Sequence, residues 1–94
     1  MSAYLIIQAT ITDWPSFKQY TDIVPDIVKA HGGEYIVMDS NPEVFEGDEP
    51  GSVVVSKWSS KKNAYAFWHS KAYQKAIPLR AETGTFHVML VNSL

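Results

Sequence analysis

Two short runs constrain this chain most: Val53-Val54-Val55, and Val88-Met89-Leu90-Val91. Successive residues of a strand point to opposite faces of its sheet. A strand without a polar residue therefore buries both faces, and a sheet built from such strands has to be covered twice. The rest of the chain must supply that cover, or a second molecule must.

The remaining elements follow from periodicity. Residues 3–11, AYLIIQATI, are rich in strand formers. Alternation puts Leu5, Ile7, Ala9 and Ile11 on one face, and Tyr4, Ile6, Gln8 and Thr10 on the other. Asp13 is a good helix N-cap, and Pro15 is tolerated in a first turn. Phe17, Tyr20, Val24, Ile27, Val28 and His31 then form one helical stripe, which Gly32-Gly33 ends. Pro25 lies inside that stripe and predicts a bend or a split. Residues 34–39 read as a second strand, residues 43–46 as a short extended piece, and residues 52–58 as a third strand. Ser59 or Ser60 caps a second helix carrying Ala64, Phe67 and Trp68. His69-Ser70 predicts a break, residues 71–77 a short helix stopped at Pro78, and residues 85–91 the last strand.

The order is β-α-β-β-α-β. With right-handed crossovers this is an α+β, ferredoxin-like split βαβ: a four-stranded antiparallel sheet with two helices on one face. Ninety-four residues make one domain, spanning 1–94. The two helices cover one face only. The economical cover for the other is a second copy of the chain, so a homodimer is expected, its sheets packed face to face.

Composition removes several function classes. The formal net charge is −2 with acids and lysines interspersed, which argues against nucleic acid, since phosphate binding needs a clustered positive face. There is no cysteine, hence no disulfide, thiolate nucleophile or zinc–sulfur site. No basic leader or long apolar run is visible, so a cytoplasmic location without membrane partners is expected. No two histidines have metal-ligand spacing, the acids of the GDEPG loop match no calcium loop, and no metal or cofactor is expected.

"HGGEY" (His31–Tyr35), "EGD" (Glu46–Asp48) and "FWHSKAYQKAIPLR" (Phe67–Arg80) resemble the family called domain of unknown function 1330, within the dimeric α/β-barrel superfamily. In that family the last segment runs aromatic, any, Ser, two residues, Tyr, then Pro-Leu-Arg; here these are Trp68, Ser70, Tyr73, Pro78, Leu79 and Arg80. The acidic-glycine pair falls on Glu46-Gly47, the double glycine on Gly32-Gly33, and the tyrosine of the first helix on Tyr20. Helix two departs from the pattern, opening on Lys61-Lys62-Asn63 where relatives often carry an acid. The resemblance implies the dimeric barrel fold. The wider superfamily spans cofactor-free monooxygenases, haem-degrading enzymes, dehydratases, lactone isomerases, stress proteins and ligand-binding regulators, so the fold selects no single chemistry.

Arg80 is the only arginine in the chain. Its planar fork suits a carboxylate or phosphate, and within the fold it would equally suit Glu46 or backbone carbonyls. Glu46, after Phe45, reads as an acid or base beside apolar surface, or as the partner of Arg80. His69 reads as a proton carrier or as a helix-end dipole partner. Ser70 reads as an N-cap or a binding residue. His87 faces away from Phe86 and Val88, toward a dimer interface or a pocket. Tyr20, Trp68 and Tyr73 combine rings with polar tips and suit a ligand wall. One expectation is therefore a pocket between sheet and helices for a small, partly apolar organic acid. Arg80, Tyr20, Trp68, Ser70 and Tyr73 would bind it, Glu46 and His69 would move protons, and the chemistry would be acid–base or cofactor-free oxygenation. The other expectation is a non-catalytic stress-related or regulatory dimer in which Arg80 and Glu46 form a fold-fixing ion pair.

Overall fold

Three polar side chains open the three helices. Asp13 accepts the Ser16 N–H at 3.2 Å and starts α1 (Trp14–Ala30). Ser60 accepts the Asn63 N–H at 3.2 Å and starts α2 (Lys61–Trp68). Ser70 accepts the Tyr73 N–H at 3.2 Å and starts α3 (Lys71–Arg80). Each satisfies a donor that a helix start leaves without an intrahelical partner. The strands between them are β1 (Ala3–Ile11), β2 (Glu34–Asp39), β3 (Ser52–Trp58) and β4 (Gly84–Asn92). The structure is a computed structural model and describes residues 2–94.

The strands form one antiparallel sheet in the order β2-β3-β1-β4, with the helices packed on one side of it. This is the ferredoxin-like arrangement expected from the element order. The second crossover is two helices, broken at His69-Ser70 as the sequence implies. Register carries the alternation of β1 across the sheet. Leu5 lies opposite Ser56 and Leu90, beneath the helices. Ile6 lies opposite Val55 and Met89, on the other face. Val53, Val55, Met89 and Val91 thus stand on the face without helices, as the two apolar runs require.

The expected helix stop at Pro78 fails, and α1 is not split at Pro25. α1 runs unbroken through Pro25, and α3 runs through Pro78 to Arg80. A proline removes only its own N–H from the ladder and hinders one carbonyl four residues back. As a consequence Arg80 sits on the last turn of a helix, where a cation also suits the dipole. Residues 43–46 form no strand and belong to an exposed, irregular β2–β3 loop.

The core concentrates at one end of the layer between sheet and helices. Trp58 and Tyr73 are fully buried, and Phe67 lies between them with ring centroids 4.9 Å from Trp58 and 4.4 Å from Tyr73. The Trp58 indole N–H donates to Ser56 Oγ at 2.9 Å, so no polar atom of the ring is stranded. The double glycine serves this end. Gly32 takes the left-handed φ of +83° that closes α1. Gly33 lets the chain pass the indole, since a Cβ there would lie 2.5 Å from the Trp58 ring. α2 packs on β1, β3 and β4, while α1 and α3 pack chiefly on each other.

Candidate functional site

The other end of the same layer is a cavity of about 310 Å³. Ile7, Ala9, Val54, Phe86 and Val88 form its floor on the sheet, Phe17, Tyr20 and Val24 of α1 form one wall, and Tyr73 and Arg80 of α3 form another. Tyr35 and Met38 of β2 complete it. The floor is small-sided where Ala9 pairs with Ser52, and both of these side chains reach the cavity.

The polar residues that line this space are Tyr20, Tyr35, Tyr73 and Arg80, together with Thr21, Asp39, Ser40 and Ser52. The Tyr20 and Tyr73 hydroxyls meet at 2.8 Å, both buried. Burial, then the neighbouring Tyr73 hydroxyl, pushes the Tyr20 hydroxyl well above the ordinary tyrosine range. Burial pushes Tyr35 up to about 12. Both hold their protons at any physiological pH. The one cationic group on the lining is Arg80. Its guanidinium lies over the Phe86 ring at 4.5 Å and 5.7 Å from the Tyr20 centroid, attractive contacts between a cation and ring faces. Its Nε is buried and has no hydrogen-bond partner among the described residues. The one ion pair within 4.0 Å among those residues is Lys18–Asp22 on the exposed face of α1.

The position of Arg80 is fixed by a residue that the sequence reading passed over. Buried Thr83 donates its N–H (3.2 Å) and its hydroxyl (2.6 Å) to the Arg80 carbonyl. The Thr83 carbonyl in turn accepts from the Thr12 and Asp13 N–H groups at 2.8 and 3.1 Å. The turn after α3 and the turn before α1 are tied together at one residue. Glu82 adopts a left-handed φ of +66° to allow it.

Of the expected site residues, the fold brings Tyr20, Tyr73 and Arg80 together. The other four lie elsewhere. The Ser70 hydroxyl is engaged in capping and donates to the Phe67 carbonyl at 2.7 Å. Trp68 packs against Tyr73 at 5.1 Å and, with His69, borders a separate hollow of about 250 Å³ beside α2. His69 is the C-cap of α2 and stacks on Tyr65 at 5.9 Å. Glu46 is exposed in the β2–β3 loop after Phe45, which is 92% exposed, so neither residue faces apolar interior. The expected Arg80–Glu46 pair does not form within the chain. His87 faces away from the helices and is exposed. Phe86 and Tyr35, which the reading did not single out, both line the cavity; Phe86 was legible from its alternation with Val88 on the helix-facing side of β4. Among the described residues no cluster of three or more His, Asp or Glu side chains could hold a metal ion, and no helix is long and apolar enough to cross a membrane.

The family model described as "Domain of unknown function (DUF1330)" matches residues 2–94. The chain belongs to that family. No curated protein matches its sequence. Several solved structures share the fold of this DUF1330 chain. A protein of unknown function from Rhodopseudomonas palustris superposes with a TM-score of 0.82 at 9% identity, covering 99% of this chain and 82% of the other. A dimeric ferredoxin-like protein of unknown function from Jannaschia sp. CCS1 gives 0.75 at 10%, covering 99% and 100%. A cofactor-independent oxygenase from Streptomyces nogalater gives 0.69 at 10%, covering 99% and 93%. At such identities the likeness is one of fold.

Proposed function

We propose that this DUF1330 chain is a homodimer that binds a small, partly apolar anionic molecule in the cavity between its sheet and helices, one site per subunit. The observation that carries the reading is Arg80. A guanidinium with a buried, unpartnered Nε beside an apolar cavity is costly for a fold to retain for packing alone. An anion that neutralises it removes that cost. The apolar walls supply the remaining affinity, as ligand sites usually do. The second subunit covers Ile6, Val53, Val55, Met89 and Val91, apolar positions on the face opposite the helices.

Binding is better supported than catalysis. Tyr20 and Tyr35 keep their protons, and Arg80 is the one cation on the lining. The one carboxylate on the lining, Asp39, is exposed and accepts the Asn41 N–H at 2.9 Å. Proton transfer by Glu46 or His69 would need a second copy to deliver them. The fold likeness to a cofactor-independent oxygenase motivates one elaboration, oxygenase-type chemistry on the bound acid, which oxygen uptake on addition of candidate acids would reveal.

The test is thermal unfolding of wild type and Arg80→Ala against a panel of small organic acids. Acids are expected to raise the wild-type midpoint and leave that of the variant unmoved. Absence of any shift in the wild type would overturn the reading. Light scattering at micromolar concentration checks the dimer: the expected mass is twice that of the chain, and Met89→Lys is expected to halve it.

A further inference from the structure

We propose that the ligand of this cavity is specifically a monocarboxylate, held as the anion by donation from Arg80 together with one tyrosine hydroxyl. This deepens the reading above and rests on it. The first support is the donor inventory. Tyr20 and Tyr73 carry two hydroxyl protons, and their 2.8 Å contact uses one of them. The second O–H has no acceptor among the described residues. Arg80 adds its Nε–H, also without an acceptor. The one carboxylate on the lining, Asp39, is exposed and already accepts the Asn41 N–H, so the unsatisfied groups beside Arg80 are donors, and their complement is a group that accepts. A neutral amide or alcohol brings donors of its own and leaves them stranded in apolar surroundings.

The second support is orientation. The guanidinium lies over the face of Phe86 at 4.5 Å. A guanidinium held against a ring keeps its in-plane N–H groups for hydrogen bonding. A guanidinium edge presents two parallel N–H groups, and a carboxylate offers two coplanar oxygens at matching spacing.

The third support is charge. A phosphate monoester near neutral pH carries more than one negative charge and three terminal oxygens. Arg80 is the only cationic side chain on the lining, and the rest of it is mostly apolar. One guanidinium and one hydroxyl satisfy a carboxylate and leave a phosphate under-coordinated. The aliphatic floor of Ile7, Val54 and Val88 then accepts a compact apolar body.

The experiment compares three probes with one body: naphthoate, naphthamide and naphthyl phosphate, titrated calorimetrically into the dimeric wild-type protein at fixed salt. Naphthoate is expected to bind at least about tenfold more tightly than either of the others, the discrimination a charge-assisted bidentate contact gives over its absence. Arg80→Lys keeps the charge but loses the fork, and is expected to bring naphthoate down to the level of naphthamide. Tyr73→Phe is expected to cost naphthoate a smaller factor and naphthamide nothing. Tighter binding of naphthyl phosphate would overturn the carboxylate assignment while leaving an anion site in place. Equal binding of naphthoate and naphthamide would overturn the assignment and the role of Arg80 together. If no probe binds, the cavity reading itself falls. The wild-type series decides these outcomes even if a variant fails to fold.

Discussion

The two ends of the layer between sheet and helices share their strands yet are built on opposite principles. At one end Trp58, Phe67, Val28 and Ala64 close on each other, with α2 against the sheet and Gly33 drawn in against the indole. At the other, α1 and α3 lean on each other above a floor of short side chains, and a cavity remains. The difference is one of side-chain volume set against backbone spacing. Close packing at the first end is what allows poor packing at the second, because a small domain has little stability to spare. Tyr73 belongs to both, with its ring against Phe67 and its hydroxyl on Tyr20.

That contrast can be broken at the closed end first. Trp58→Ala is expected to cost about 3–5 kcal/mol, read by urea unfolding. Gly33→Ala forces a methyl into the fully buried indole and is expected to cost about 1–3 kcal/mol, by the same measurement. The open end should respond differently. Ala9→Leu places added volume in the cavity and is expected to raise stability by about 0.5–1 kcal/mol while abolishing the thermal shift from naphthoate. Arg80→Ala gives up the ring contact, worth about 0.5–1 kcal/mol, but also removes the buried, unpartnered Nε, so its net effect is expected to stay within about 1 kcal/mol, whereas loss of one member of a buried ion pair would cost about 3–5 kcal/mol. The smallest effect is on pH. Tyr20 and Tyr35 hold their protons to higher pH in the folded chain than the ordinary value of 10.0. The unfolded chain therefore releases protons first, and stability is complete below pH 10 and falls as pH rises from there toward 12. A series of unfolding midpoints across that range checks it, and Tyr20→Phe should flatten the decline.

The fold was legible because its determinants are local. Alternation in residues 3–11 assigned both faces of β1, and the Asp13 cap together with the stripe ending at His31 drew α1 to within a residue. Arg80, Tyr20 and Tyr73 stood out chiefly because the family pattern groups them, and the fold brings them onto one cavity. What was not legible depends on distance in three dimensions. Glu46 follows Phe45 in sequence, but neighbours along a chain need not share an environment, and the loop carries both outward. His69 and Ser70 sit where one helix gives way to the next, and their polar atoms serve that junction. Pro78 reads as a stop, yet the helix continues for one more residue pair and delivers Arg80 to the cavity. Thr83 carries no signal in the sequence, since its role consists of hydrogen bonds to segments far away along the chain.

That threonine also has a dynamic consequence. Its two donors hold the carbonyl of Arg80, and its own carbonyl holds the amides of Thr12 and Asp13. Opening either turn releases the other, so the two behave as one cooperative unit. A molecule that immobilises the guanidinium from inside the cavity should therefore slow amide hydrogen exchange at Thr12 and Asp13, at the other end of the knot.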